Sequence, residues 1–541
     1  MNRILVLGGY GGFGARIARR LVAAGHVVLV AGRSARKAKD FCAADPRLVA
    51  LQLDRADIAQ ALAAERPALV VDASGPFQAM DYRVPRACIE AGIHYCDIAD
   101  GRDFVCGIAA LDAAAKAAGV AVISGCSSVP ALSGAAAREL AHGMDRVRAV
   151  EIAISASNKA TAGPAVAAAI LGQVGRPFKI HQGGRWIDMT GWQGMTRLTF
   201  TVPGTVPVSR RLVAMLDVPD LQLLPARLCG RPAVTFRAGT ELAMQNRALW
   251  FTSRLVRWGG FGGLPRLARW LLPLQALTGA LGSDRSAMMV RLFGDRRAAR
   301  MERRWTLIAE KGDGPEIPAL SVPLLAARML AGEEAPGARD AGEALDLMDY
   351  EPAFGGLAIR HACAEIPAPP PLYRRVMGVR YDGLPDSVRL LHDVFREGAA
   401  SGEASVSAPD NWLGGIVARL MGFPPPGHHP VHVRFSERDG VETWTRTFGG
   451  HSFSSRLSQS GAQLVERFGP MRFRFDLPSD STGLRMEMRG WSVLGLPMPL
   501  MLAPRSAARE YDHAGRFHFD VPVRLPLVGR IVHYSGWLCP I

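Results

Sequence analysis

With 541 residues, 48% of them hydrophobic, the chain is long enough for about three domains, each with its own core, and its composition excludes a disordered protein. Lys and Arg number 64 against 49 Asp and Glu, a formal charge of +15, yet the excess is scattered arginine with no lysine-rich run or RNA-binding signature, so no nucleic-acid partner is expected. The eight cysteines have no CxxC pair and no regular spacing, which points to reduced thiols in the cytoplasm and to neither a metal nor a disulfide framework.

Arg3 to Leu7 is a short apolar run that reads as a strand, not as an export signal, because it passes directly into Gly9-Tyr10-Gly11-Gly12-Phe13-Gly14, a match to G-x-G-x-x-G. Ala15 to Ala24 has helical periodicity, Gly25 ends it, and His26 to Ala31 reads as a second buried strand. The glycine loop therefore sits inside a complete βαβ unit, the context a dinucleotide requires. Gly9 permits the tight turn, Gly11 lets the backbone approach the pyrophosphate, Gly14 allows close packing of helix on strand, and Gly12 and Phe13 complete the loop at the positive end of the helix.

NAD-specific folds place Asp or Glu at the end of the second strand to hold the ribose 2′-hydroxyl, but here that place reads Gly32-Arg33-Ser34-Ala35-Arg36-Lys37. Arg33 offers a planar fork of donors and Ser34 a hydroxyl, so the expected cofactor is NADP(H). Arg36 and Lys37 either add positive charge to that site or are solvated residues of the next helix. Leu48 to Leu53 and Ala68 to Ala73 read as further strands with a helix ending near Glu65 between them. Ser74, Gly75 and Pro76 follow the second of these and should face the cofactor. His94–Asp100 and Val120–Gly125 supply the next two strands and their exit loops. The expected fold is α/β, with a Rossmann-type, doubly wound parallel sheet of about six strands over residues 1–125.

The segments GGYGGFG, VVDASGPFQ, GIHYCDIADG, GCSSVPALSG and GDGPEIPALSVPLLAARMLAGEEAPGA together resemble the saccharopine dehydrogenase/reductase-like superfamily over residues 1 to about 365. The resemblance implies an NADP(H) domain, a second α/β domain over 126–365 whose pocket faces the nicotinamide, and a late segment that returns to the first domain. It also implies cofactor contacts at Gly9, Gly11, Gly14, Arg33, Ser74, Gly75 and Pro76, and a position near the reacting carbon for Tyr95, Asp97, Ser127 and Ser128. From the residues alone, Tyr95 or a Ser127 or Ser128 hydroxyl is a candidate proton donor. Equally, Tyr95 reads as a packed aromatic and Asp97 as a structural cap.

Glu241, Gln245 and Asn246 are polar candidates for an amino-acid substrate, whereas the Trp250–Gly282 tract is rich in Trp, Leu and Phe and suits an apolar or lipid-like one. Its arginines and prolines interrupt it too often for a membrane span. It reads as core helices of the second domain or as a peripheral membrane contact.

A Pro-rich break at Pro367–Pro371 opens a last unit, 372–541, where period-two segments such as Val431–Phe435, Met471–Phe475, Leu484–Met488 and Phe517–Val521 predict antiparallel strands curled around a core or a ligand cavity. Arg446 falls on the face shared by Trp444 and Phe448, and either meets an acidic ligand head group or pairs with a buried carboxylate. His428, His429, His432 and His451 lack the regular spacing of a metal site. The pieces WTRTFGG, ERFGPMRFRF, GLPMPLMLAPR and LPLVGRIVHYSGWL resemble a bacterial domain of unknown function found fused behind saccharopine-reductase-like chains. The whole reads as an NADP(H)-dependent reductase, cytoplasmic and either free or membrane-associated, acting on a C=C or C=N bond of a hydrophobic or acyl-type small molecule. The alternative is an NADP(H)-binding sensor or lipid-binding protein without turnover. The sequence leaves the oligomeric state open.

Overall fold

The computed structural model describes residues 2–159, 164–259, 278 and 281–541. Most of the Trp250–Gly282 tract, residues 260–277, 279 and 280, lies outside the described residues, and its first part belongs to helix Ala243–Gly259. The chain divides into two compact units, one of Met1–His181, Trp186–Leu292 and Glu302–Ile366, the other of Gln182–Arg185, Phe293–Met301 and Pro367–Ile541.

In the first unit, β1 (Arg3–Leu7), α1 (Gly12–Ala23), β2 (Val27–Gly32), α2 (Ala35–Cys42), β3 (Leu48–Gln52), α3 (Ile58–Glu65), β4 (Leu69–Asp72), α4 (Arg83–Glu90), β5 (His94–Asp97), α5 (Arg102–Gly107), α6 (Asp112–Ala117) and β6 (Ala121–Ser124) alternate as a doubly wound fold requires. The late strand Gly337–Asp340 pairs in parallel with β6. The sheet therefore has seven strands, not six, in the order Gly337–Asp340, β6, β5, β4, β1, β2, β3. Its central strands β1, β2 and β4 are nearly continuous apolar runs because helices cover both faces. Ile4, Val6, Val28, Val30, Leu69 and Val71 pack into one core, whereas Leu5, Leu7, Leu29 and Val70 pack into the other, all within 3% of complete burial.

A second seven-stranded sheet in the same unit runs Thr196–Phe200, Val208–Met215, Ala233–Thr240, Arg146–Ala156, Ser286–Arg296, Ala299–Ala309, Ile359–Pro367. Ala233–Thr240 and Arg146–Ala156 pair in parallel, and Val208–Met215 is antiparallel to its neighbours.

The second unit is a thirteen-stranded sheet, antiparallel throughout its pairings, that encloses a core including Val431, Val433, Phe435, Trp444, Phe448, Leu464, Phe473, Phe517 and Tyr534. Alternation places these side chains inward because successive residues of a strand face opposite sides. The period-two segment Leu484–Met488 is two strands, Gly483–Arg485 and Glu487–Val493, broken at Met486, whose N–H donates instead to the Ala508 carbonyl. Arg446 points inward, where its Nη1 donates to Ser455 Oγ at 3.0 Å, Glu466 lies 4.0 Å away, and the rings of Trp444 and Phe453 flank it. Among the described residues no helix is long and apolar enough to cross a membrane.

Candidate dinucleotide site

The loops that leave the carboxyl ends of β1, β4, β5 and β6 gather at one edge of the first sheet, where open parallel sheets hold ligands. Gly8, at φ +69°, lies so close to the β4 exit loop that a Cβ would stand 2.7 Å from the Ala73 carbonyl oxygen and 3.0 Å from Ser74 Cα. A Cβ at Gly14 would stand 2.2 Å from the Gly8 carbonyl oxygen. Only glycine fits at either place, and the result is a backbone-lined cradle. Gly9, Gly11, Gly12, Phe13, Gly14, Ser74, Gly75 and Pro76 come together there. Helix α1 starts at Gly11 with no side-chain cap and no acidic residue in its first turn. Its first N–H groups and the positive end of its dipole are therefore available to a pyrophosphate.

The end of β2 carries Arg33, exposed, and Ser34, whose Oγ accepts the Lys37 N–H at 3.4 Å to cap α2. Tyr10, from the glycine loop, completes this corner. Its hydroxyl accepts the Ser34 N–H at 3.0 Å, and its ring fills the space beside Gly32, where a Cβ would lie 2.5 Å from the ring. A side chain at Gly32, the acidic ones included, would collide with Tyr10. Sequence reading passed over Tyr10 because only the fold brings the loop residue beside the end of β2.

The remaining loops are tied by buried carboxylates. Asp72 Oδ1 accepts Ser74 N–H at 3.0 Å and Ser74 Oγ–H at 2.5 Å, while Arg55 lies 3.2 Å from Oδ2. Asp97 Oδ1 accepts from Ala99 N, Gly125 N and Ser124 Oγ at 2.9, 2.8 and 3.0 Å, which locks the β5 exit loop to that of β6. Its Oδ2 is buried without a hydrogen-bond partner among the described residues, and burial, only partly offset by these three bonds, pushes its carboxyl up to about 7.

Tyr95 is wholly enclosed in the core that Leu5, Leu29 and Val70 build, and its hydroxyl has no partner among the described residues. It does not open on the loop cluster. Ser127 and Ser128 stand in the β6 exit loop, 8% and 9% exposed, so of the four residues expected near the reacting carbon only these two reach the surface of the cluster at all.

Beyond strand Val208–Met215 come Asp217, in the loop, and Asp220, the first residue of helix Asp220–Arg227. Arg102, at the start of α5, pairs with Asp217 and donates to the Lys179 carbonyl at 2.8 Å, and Ser133 Oγ donates to Asp220 Oδ1 at 2.5 Å. Burial raises both carboxyls to about 6. No local pattern marks these residues in the sequence. Glu241 is consumed by Arg211 at 2.9 Å and by the N–H groups of Asn158 and Ser283, and Asn246 by the backbone of Thr240 and Leu242, whereas Gln245 donates its Nε2 to Asn158 and Thr278 and its buried Oε1 has no hydrogen-bond partner among the described residues. In the second unit His428, His429 and His432 are bonded to Ser405, to the Pro425 carbonyl and to the Gly183 carbonyl. Among the described residues no group of three or more His, Cys, Asp or Glu could hold a metal ion, and the eight cysteines are free.

Sheet order, glycine cradle and uncapped helix start fit a dinucleotide-binding domain. Residues 4–123 match the family model of the saccharopine dehydrogenase NADP binding domain, and residues 384–538 match that of a domain of unknown function, DUF4166. Over residues 4–123 the chain is thus similar to the dinucleotide-binding domain of saccharopine dehydrogenases. No curated protein matches the chain. Among solved structures, it is similar to saccharopine dehydrogenase (L-Glu forming) from Saccharomyces cerevisiae, with 12% identity and a TM-score of 0.46, covering 67% of this chain and 100% of that one. It is also similar to amine dehydrogenase from Mycobacterium smegmatis, with 14% identity and a TM-score of 0.32, covering 63% and 95%. Both likenesses are too distant to carry function across.

Proposed function

We propose that the protein is an NADP(H)-dependent reductase acting on a C=C or C=N bond of a hydrophobic or acyl-type substrate. The observation that carries this reading is the continuity of the uncapped, glycine-lined start of α1 with the end of β2, whose exit run Gly32-Arg33-Ser34-Ala35-Arg36-Lys37 contains no Asp or Glu. The N–H groups of Gly12, Phe13 and Gly14 would hold the pyrophosphate and the Arg33 guanidinium the 2′-phosphate, with the Tyr10 ring occupying the space beside Gly32 that an acidic side chain would need. When bound, the nicotinamide supplies the hydride. Asp97 acts as a positioning residue by fixing the Gly125–Ser128 loop, from which the Ser127 or Ser128 hydroxyl supplies the proton that quenches the developing anion. The apolar substrate is supported by the fate of Glu241 and Asn246, whose polar atoms are already spent inside the fold.

The competing reading, an NADP(H)-binding sensor or lipid-binding protein without turnover, is favoured by one observation: none of Tyr95, Asp97, Ser127 and Ser128 is more than 9% exposed. NADPH oxidation in the presence of an enoyl thioester or a cyclic imine separates the two. The reductase reading expects consumption that disappears in Ser127→Ala or Ser128→Ala with NADPH affinity retained. Saturable NADPH binding without consumption of any such substrate overturns it in favour of the sensor.

A further inference from the structure

We infer that one end of the C-terminal sheet is a docking surface for an anionic lipid bilayer. The sheet is antiparallel, so its turns fall alternately at two ends. One end carries Asp439-Gly440, Gly461 and Ala514-Gly515, and is covered by the helices Leu372–Met377 and Asp386–His392. Arg375 donates to the Gly440 carbonyl at 3.1 Å, Gln459 to the Arg375 carbonyl at 3.0 Å, and Ser387 to Asp512 at 2.5 Å.

The opposite end carries the turns around Gly449-Gly450, Gly469-Pro470, Leu494-Gly495 and Leu525–Gly529, together with helix Trp412–Leu420. Contacts link these pieces into a closed ring. Phe423, just past the helix, stacks on Phe468 at 5.9 Å, and the Leu494 N–H donates to the Pro470 carbonyl at 3.0 Å. Trp491 Nε1 donates to the Pro499 carbonyl at 3.0 Å, Arg505 and Arg524 exchange backbone hydrogen bonds, and Asn411 returns to the helix by donating to the Val528 carbonyl at 2.7 Å.

Large apolar side chains stand exposed on the helix and on the loops around Leu494, Leu500–Leu502 and Leu527, though not on the Gly449-Gly450 and Phe468–Met471 turns. Trp412 and Leu420 are 77% and 83% exposed on the helix, Leu494 and Leu496 are 82% and 70% exposed at one turn, Met501 is 77% exposed between Leu500 and Leu502, and Leu527 tips the last hairpin with its side chain fully in solvent. Single exposed leucines are ordinary, but a ring of them on adjacent loops is not.

The charge pattern identifies the occupant. The segments 411–423, 494–508 and 524–531 contain no Asp or Glu, and carry Arg419, Arg505, Arg524 and Arg530. Asp410, which lies 3.3 Å from Arg524 and 3.1 Å from Arg530, is the one carboxylate bonded to these arginines among the described residues, and Arg419 and Arg505 are exposed. Aliphatic tips bordered by arginines, with a Trp among them, match the acyl boundary and the phosphate layer of a bilayer, where apolar burial and attraction to anionic head groups add.

The test is flotation of the full-length protein with phosphatidylcholine vesicles, with and without about 30% phosphatidylglycerol. The wild type is expected to float with the anionic vesicles. The partition coefficient should fall by at least about tenfold in the Leu494→Glu, Leu527→Glu double variant, and should be unchanged in Val379→Glu, an exposed apolar residue at the covered end. Hydrogen exchange of the wild type should show protection of 493–502 and 525–529 on vesicle addition, a readout that needs no variant to fold. Absence of flotation, equal binding to neutral vesicles, or flotation indifferent to the double variant overturns the inference. So does an oligomer in light scattering that the double variant converts to monomer, since the ring would then be an interface between copies. None of these outcomes depends on turnover, so the lipid surface and the reductase reading stand or fall separately.

Discussion

The parallel sheet of the first unit and the antiparallel sheet of the second expose function in different ways. In the first, every strand runs the same way, so β1, β2, β4, β5 and β6 deliver their exit loops to one edge and topology alone marks where a ligand sits. In the second, turns lie at both ends, and only their chemistry tells the ends apart: Asp439-Gly440 and Ala514-Gly515 against Leu494-Gly495 and Leu525–Leu527. A parallel sheet thus advertises its site through backbone and glycine, an antiparallel one through side chains.

The largest expected effect falls on the backbone side of this comparison. Gly14→Ala drives a Cβ against the Gly8 carbonyl, and should cost NADPH affinity about a hundredfold or more in a fluorescence titration, with about 3 kcal/mol of stability lost to overpacking. A variant that binds normally would show that the cradle does not hold the pyrophosphate.

Buried carboxylates in the two units provide a matched pair. Asp97 and Glu442 are both fully buried, each with one oxygen unpartnered, and burial raises both to about 7 from ordinary values of 3.8 and 4.5. For each, the folded state holds a proton that the unfolded chain releases, so stability is lost as pH rises from about 4 to about 7 and is flat above. The contribution is on the order of 4 kcal/mol for Asp97 and about 3 kcal/mol for Glu442. Asp97→Asn and Glu442→Gln should each remove their part of the slope in thermal or urea melts between pH 4 and 8. Slopes equal to the wild type's would mean that the carboxylates are ionised and that water reaches them.

The smallest effect is expected at Tyr10→Phe, which keeps the ring beside Gly32 and removes only the acceptor for Ser34 N–H. About 1 kcal/mol, or a fivefold loss of NADPH affinity, is the expected size, with NADH binding unchanged. An equal loss for both cofactors would place Tyr10 outside the 2′-phosphate corner.

These contrasts also explain what the sequence disclosed. The glycine loop, the run after β2 and the alternating segments of the last domain are legible because each is a local pattern whose meaning is fixed by the period of its own element. Tyr10, Asp217, Asp220 and the seventh strand Gly337–Asp340 are not, since each acquires its place only when distant segments meet. Tyr95 shows the limit of resemblance: it shares a strand face with Asp97, but Asp97 ends the strand and bonds to the exit loops, whereas Tyr95, two residues earlier, is enclosed in the core. Arg446 illustrates a reading left open by sequence, in which inward pointing was legible but the nearby Glu466 was not.

The most direct test of the account is a fluorescence titration of the purified protein with NADPH and NADH, alongside Arg33→Ala. The account predicts tighter NADPH binding that falls to the level of NADH in the variant, with NADH affinity unchanged. Equal affinities in the wild type, or a variant that keeps the preference, would contradict the assignment of the β2 corner to the 2′-phosphate.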